Sequence, residues 1–242
     1  MLKDLHFLRR IDGEKLDRYL LMGWYRIGQL IFTTDHIPYA EGWKRVFWLR
    51  FPLDKISFHK KHEKLFAGND RFSIGIRPFQ LTEELEELYQ LYYNHLDFTP
   101  SPTLHNALFD HSVFEDQSFP VFDSFVIEVR DKEQLIAAGV FDMGKNSLAG
   151  IINFFHPVYR KFALGKWLML LKIQYAKQQG MQFYYPGYIA ADYNKFDYKL
   201  FPGKAAAEIY DPLQQEWLSY SANLIQALKN TIPAPGDDFI IS

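Results

Sequence analysis

The chain has 242 residues, 48% of them hydrophobic, with 27 Lys and Arg against 29 Asp and Glu and a formal net charge of −2. That length supports one large domain or two intimate ones, and that charge excludes a general nucleic-acid coat while leaving room for a local basic patch. The absence of cysteine excludes disulfides, thiolate metal centres and cysteine nucleophiles, and no structural metal is expected.

The opening MLKDLHFLRR lacks the apolar core of a secretory signal, and no window reaches membrane-spanning length. A cytoplasmic protein with no membrane partner and no DNA partner is expected. A first helix is predicted behind Asp12 as N-cap, with Leu16, Tyr19 and Leu20 on one face and Gly23 as its stop. Strands over 28–32 and 45–51 follow, with a loop holding Pro38 and Gly42 between them. Residues 55–64 (KISFHKKHEK) read as an exposed basic segment.

After Asn69 the pattern changes. Thr82 caps a helix whose first turn carries Glu83 and Glu84, which suits the helix dipole, and whose apolar face is Leu85, Leu88, Leu91 and Tyr92. A short helix is predicted over 104–109. Three strands over 125–130, 135–142 and 148–155 then follow across the tight breaks DKEQ and MGKNS. A helix over 164–179, apolar on most of its circumference and stopped by Gly180, should be sandwiched rather than exposed. A strand over 183–188 comes at once, and so short a strand–helix–strand step implies a parallel pair. A last helix over 212–229 and a loose tail complete the reading.

This is an α+β order, and it resembles the GNAT acyltransferase core, a mixed antiparallel and parallel sheet with flanking helices. That core would occupy residues 70–242, with residues 1–69 as a smaller N-terminal unit. Between strand and helix lies Arg160-Lys161-Phe162-Ala163-Leu164-Gly165, similar to the GNAT phosphate-binding loop. Successive N–H groups at a helix start converge on an anion, Gly165 permits close approach, and Arg160 or Lys161 adds charge. Pro157 is expected to break the preceding strand and splay it from its neighbour.

Read together, residues 123–201 resemble the C-terminal domain of arginyl-tRNA–protein transferases and their bacterial leucyl-transferring relatives. The resemblance is carried by Glu128-x-Arg130 with LIAAGVFD, by SLAGIINFFHP (147–157), by ALGKWLMLLKIQYAKQQGMQFYYPGY (163–188) and by YNKFDYK (193–199). More faintly, Gly23-Trp-Tyr-Arg26-Ile-Gly28 and the basic HKKH (59–62) resemble N-terminal pieces of the family. The chain departs from the family pattern where its cysteine cluster should fall, between Phe32 and Arg45, and at His156, Tyr193 and Phe196.

The resemblance implies an aminoacyltransferase with an aminoacyl-tRNA co-substrate and no other cofactor. It would move arginine or leucine onto the N-terminal α-amine of a protein or peptide, the chemistry of the N-degron pathway. No nucleophilic side chain is needed, because the α-amine attacks the ester itself. The loop Arg160 to Gly165 would hold the phosphates of the terminal nucleotide. Tyr188 or Tyr198 would protonate the leaving ribose oxygen. Lys195 and Lys199 would bind RNA phosphate or an acidic acceptor residue, forming a positive surface with Arg45, Lys60 and Lys61. Glu128 and Arg130 would form a salt bridge or part of the acceptor pocket, and Asp142 would attract the side chain of an arginyl group. Two other readings use the same loop or dispense with it: an acyl-CoA-dependent N-acyltransferase, and a non-catalytic module that binds protein N-termini.

Overall fold

The computed structural model describes residues 2–39, 42–96, 101–110 and 120–234. β1 (Leu2–Phe7) leads into α1 (Gly13–Leu21), which Asp12 caps by accepting from the Lys15 N–H, and which buries Leu16 and Leu20. Gly23, at φ 74°, turns the chain into β2 (Tyr25–Ile27) and β3 (Leu30–Thr34). These strands form a small antiparallel sheet in the order β1-β3-β2.

Next come β4 (His36–Tyr39), β5 (Gly42–Pro52), α2 (Lys60–Asn69), β6 (Ser73–Pro78), α3 (Glu83–Tyr93) and α4 (Leu104–Phe109). β7 (Ser124–Asp131), β8 (Gln134–Met143) and β9 (Ser147–Phe155) follow as the expected antiparallel meander. Then come α5 (Leu164–Gln178), β10 (Phe183–Ala190), β11 (Glu208–Asp211), β12 (Glu216–Ser219) and α6 (Ala222–Leu228). The main sheet has nine strands in the order β12-β11-β5-β10-β9-β8-β7-β6, with β4 paired to β5 alone. Alternate residues of its central strands serve opposite faces, as the strand period of two requires. Ile127, Val129 and Phe141 pack in the core with Trp167, Leu168 and Leu171 of α5, while Val126, Ala138 and Val140 pack with Leu85, Leu88 and Tyr89 of α3. This is the mixed GNAT-like sheet with flanking helices.

Residues 1–69 supply β5, which lies between β10 and β11, so the division expected after Asn69 runs through one continuous sheet. Residues 55–64 do not stay exposed throughout. α2 starts within them, and His62 is fully buried, its Nε2 3.0 Å from Phe201 O. The helix expected over 212–229 is instead a β11–β12 hairpin followed by the short α6. Asp211 Oδ1 accepts from the Leu213 N–H, Gln215 takes φ 56°, and Trp217 pairs opposite Tyr210. These are turn and cross-strand preferences that the apolar pattern alone hides. Residues 235–242 of the expected loose tail lie outside the described residues.

β9 and β10 pair in parallel only at Phe183↔Ser147, Tyr184↔Leu148 and Tyr185↔Ala149. Beyond Tyr185, β10 continues against β5 alone, after a register shift before Gly187. The strands therefore part at Pro186, which has no N–H to give a ladder, and at Gly187, whose φ of 97° suits glycine. Pro157, expected to cause this splay, opens the 3-10 turn Pro157–Phe162 instead.

Candidate active site

The parting of β9 and β10 opens a cleft of about 760 Å³. One wall is aromatic. Tyr25 stacks on Trp48 with ring centroids 5.2 Å apart, Phe32 meets Trp48 edge-on, and Tyr188 stands edge-on to both Trp48 and Phe196 at 5.3 Å. At the apex, Tyr25 Oη lies 2.6 Å from Gly150 O on β9 and 2.8 Å from Tyr185 O on β10. Its one proton is shared between carbonyls of the two separating strands, so the hydroxyl acts as a wedge at their fork.

The lining also carries Arg26, Lys166, Lys172, Lys195 and Lys199, and no carboxylate among the described residues. The cleft is therefore a polarised apolar slot, suited to a flat ring with an anionic group attached. Lys199 Nζ donates to Tyr188 O at 2.8 Å and lies 4.7 Å from the Tyr188 ring centroid and 4.9 Å from that of Phe196. Desolvation pulls its ammonium down to about 7. Lys172 is buried within α5 and is likewise pulled down to about 7 by desolvation, against the opposing pull of Asp142. Desolvation raises the Tyr198 hydroxyl to about 12 and raises Tyr188 as well, so both remain protonated at neutral pH.

The start of α5 faces the same cleft. Ala163, in the left-handed conformation at φ 49°, is its N-cap and offers no side-chain cap. The Ala163 N–H closes the preceding turn onto Arg160 O, while the N–H groups of Leu164 and Gly165 have no acceptor among the described residues. Ala163 and Gly165 line the cleft and the Leu164 side chain is buried beneath it. Arg160 and Lys161 are exposed and not part of the lining, and Lys166 occupies the cleft in their place.

Of the other expected site residues, Tyr188, Tyr198, Lys195 and Lys199 come together in the cleft. Glu128 and Arg130 do not join them. They lie on β7 and form the expected salt bridge, Arg130 Nη2 to Glu128 Oε2 at 3.6 Å, with Glu128 also paired to Arg77 at 2.5 Å and Arg130 to Glu84 at 2.5 Å. Asp142 is not open to a substrate cation, because Arg26 already fills that place. Arg26 Nη1 lies 2.8 Å from Asp142 Oδ1, and the guanidinium also donates to Gly28 O, Ser124 Oγ and Leu108 O. Arg45 is buried against Asp35, and Lys60 and Lys61 lie outside the cleft lining, so the expected five-residue positive surface reduces to Lys195 and Lys199. The cleft residues not anticipated include Tyr25, Trp48, Asn153, Lys166 and Lys172. Two carry a sequence signal: Asn153 is the lone amide in the strand SLAGIINFF, and Lys172 is the lone interior charge in LMLLKIQYA.

A family model for the C terminus of arginine-tRNA-protein transferases matches residues 84–202, from the start of α3 through the turn that carries Lys195 and Lys199. An aspartate/glutamate leucyltransferase of Shewanella sp. is 31% identical over 195 residues, covering 78% of this chain and 76% of that protein. One of Helicobacter hepaticus is 26% identical over 181 residues, covering 73% and 72%. Among solved structures, the crystal structure of FemX is similar with a TM-score of 0.45 at 10% identity, over 89% of this chain and 70% of that one. Among the described residues no helix is long and apolar enough to cross a membrane. On the sequence match to curated relatives over three-quarters of their length, the chain belongs to the arginyl-tRNA–protein transferase family of aminoacyltransferases.

Proposed function

We propose that this aminoacyl-tRNA–protein transferase moves leucine, rather than arginine, from charged tRNA to the N-terminal α-amine of proteins that begin with Asp or Glu. The observation that carries the choice is the cleft lining: cationic and apolar, without a carboxylate among the described residues. An arginyl side chain needs a buried anionic partner, and the anticipated candidate, Asp142, is held by Arg26. A leucyl side chain is at home against Ile151, Ile152 and Met169. An acidic acceptor residue suits the lysines, and the names of the curated relatives agree with both halves of the reading.

In this reading the 3′ adenosine lies on the aromatic wall and its phosphate meets the free N–H groups of Leu164 and Gly165 at the positive end of α5. The neutral α-amine attacks the ester carbonyl. The C–N bond forms, the bond to the ribose 3′ oxygen breaks, and the proton lost by the amine is balanced by one delivered to that oxygen. Tyr188 and Tyr198 are the phenols at hand to deliver it. Positioning two bound reactants supplies most of the acceleration. The test is transfer of labelled leucine and of labelled arginine from charged tRNA to peptides beginning with Asp, Glu, Arg or Lys. Leucine should pass to Asp and Glu peptides. Transfer of arginine alone, or of neither, would overturn the proposal.

A further inference from the structure

Lys172 projects from the middle of α5 onto the sheet, where β8 and β9 slip register between Val140 and Phe141. Its ammonium reaches three oxygens: Val140 O at 2.8 Å, Asn153 Oδ1 at 2.8 Å and Ile152 O at 3.5 Å. The residue opposite Asn153 in the ladder is Gly139, and a Cβ there would lie 2.7 Å from Asn153 Oδ1 and 3.1 Å from Lys172 Cε. The sheet has thus left out one side chain to admit this contact.

The contact fixes which way the Asn153 amide points. The hydrogen bond from Lys172 Nζ turns the Asn153 oxygen towards the lysine, the one end of the amide that an ammonium, with donors alone, can meet. The NH₂ is then turned away, towards the start of α5 and the cleft that Asn153 lines. One of its hydrogens faces Gly165 O at a long 3.4 Å, and the other has no acceptor among the described residues. A buried lysine that only satisfied the bulge carbonyls would need no amide beside it.

We propose that Asn153 is a catalytic residue, its side-chain N–H donating to the ester carbonyl oxygen of the bound aminoacyl-tRNA as negative charge gathers there, and that Lys172 is the positioning residue that holds the amide in this orientation. The inference rests on the transfer reading. The carbonyl carbon becomes tetrahedral when the amine attacks, its oxygen takes the electron pair, and that pair returns as the bond to the ribose oxygen breaks. A fixed donor, already oriented before the charge appears, strengthens its bond in the transition state alone.

The discriminating variant is Asn153→Asp. A carboxylate preserves the volume and gives Lys172 a better partner, so the fold is retained, but it has no N–H to offer. Single-turnover leucyl transfer should fall about 10²–10³-fold, the usual loss with one oxyanion donor. Affinity for a 3′-leucylamido-adenosine, which cannot react, should stay within about threefold, since the ground state gains little from this bond. Lys172→Met should lower kcat with KM unchanged in the wild-type background, and should cause no further loss when added to Asn153→Ala, which lacks both the donor and any carboxylate that would be left unpaired. Lys172→Gln supplies the same readout where the methionine variant fails to fold. An Asn153→Asp protein that transfers at the wild-type rate overturns the catalytic role. Equal losses from Lys172→Met in both backgrounds overturn the positioning role. A wild-type protein that transfers nothing removes the transfer reading and this inference together.

Discussion

Tyr25→Phe probes the fork between β9 and β10 with the loss of a single oxygen atom. The ring keeps its stack on Trp48, so the perturbation is confined to the buried hydroxyl shared by Gly150 O and Tyr185 O. Leaving a buried acceptor without its donor costs about 1–3 kcal/mol. In a chain of this size each kcal/mol moves the melting midpoint by about 2–4 °C, so a fall of about 2–12 °C is expected by calorimetry or circular dichroism. The same hydroxyl sets the width of the cleft at its apex, and a reacting pair displaced by a fraction of an ångström reacts more slowly. Leucyl transfer measured well below the melting range should therefore fall as well. A melting midpoint within about 1 °C of wild type, against this scale, together with unchanged transfer, would refute the wedge.

Arg26→Met leaves the Asp142 carboxylate buried without its cation, which costs about 3–5 kcal/mol in comparable sites, and urea denaturation should report a loss of that order. Gly187→Ala places a Cβ 3.2 Å from Lys199 Nζ on a backbone at φ 97°, so a loss of about 1–3 kcal/mol in the same assay should accompany weaker binding of the adenosine analogue. Stability should rise with pH above neutrality. Lys172 and Lys199 ionise near 7 when folded and near 10.5 when unfolded, so the unfolded chain binds more protons across that window. Their desolvation penalty is fully present below pH 7 and is progressively relieved towards pH 10. Melting curves from pH 7 to 9.5 should show the rise, and Lys172→Met should flatten it. A midpoint that falls across this range would contradict the assignment.

The central elements were legible because their patterns are local. The Asp12 and Thr82 caps, the three strands within 125–155 with their tight breaks, the apolar helix stopped by Gly180 and the parallel step into 183–188 all reappear with bounds shifted by a residue or two. The misread segments are those where tertiary pairing decides. The strand β6 went unread because all but one of its residues are exposed, so it has no buried face to give an apolar pattern. The sequence around Trp217 carries enough apolar residues for a helix, yet the turn before it and Tyr210 opposite make it a strand. For the site, Tyr188, Tyr198, Lys195, Lys199 and the loop at Gly165 come to one cleft; Glu128 and Arg130 form the salt bridge that was one of their two expected roles, and Asp142 looks available only until Arg26 is seen.

The family, the order of the core elements and the helix start that faces the cleft are legible in the chain, since motif spacing and apolar period are local. Tertiary structure alone decided which side chains are free to act. Arg26 cancels Asp142 across 116 positions, and the Tyr25 hydroxyl reaches 125 and 160 positions to sit between Gly150 and Tyr185. Lys172 finds Asn153 only because a glycine lies beneath them. The physical reason is that a charge or a hydrogen bond is spent or available according to what stands within about 3 Å of it, and that neighbour is set by the packing of sheet on helix rather than by the adjoining sequence.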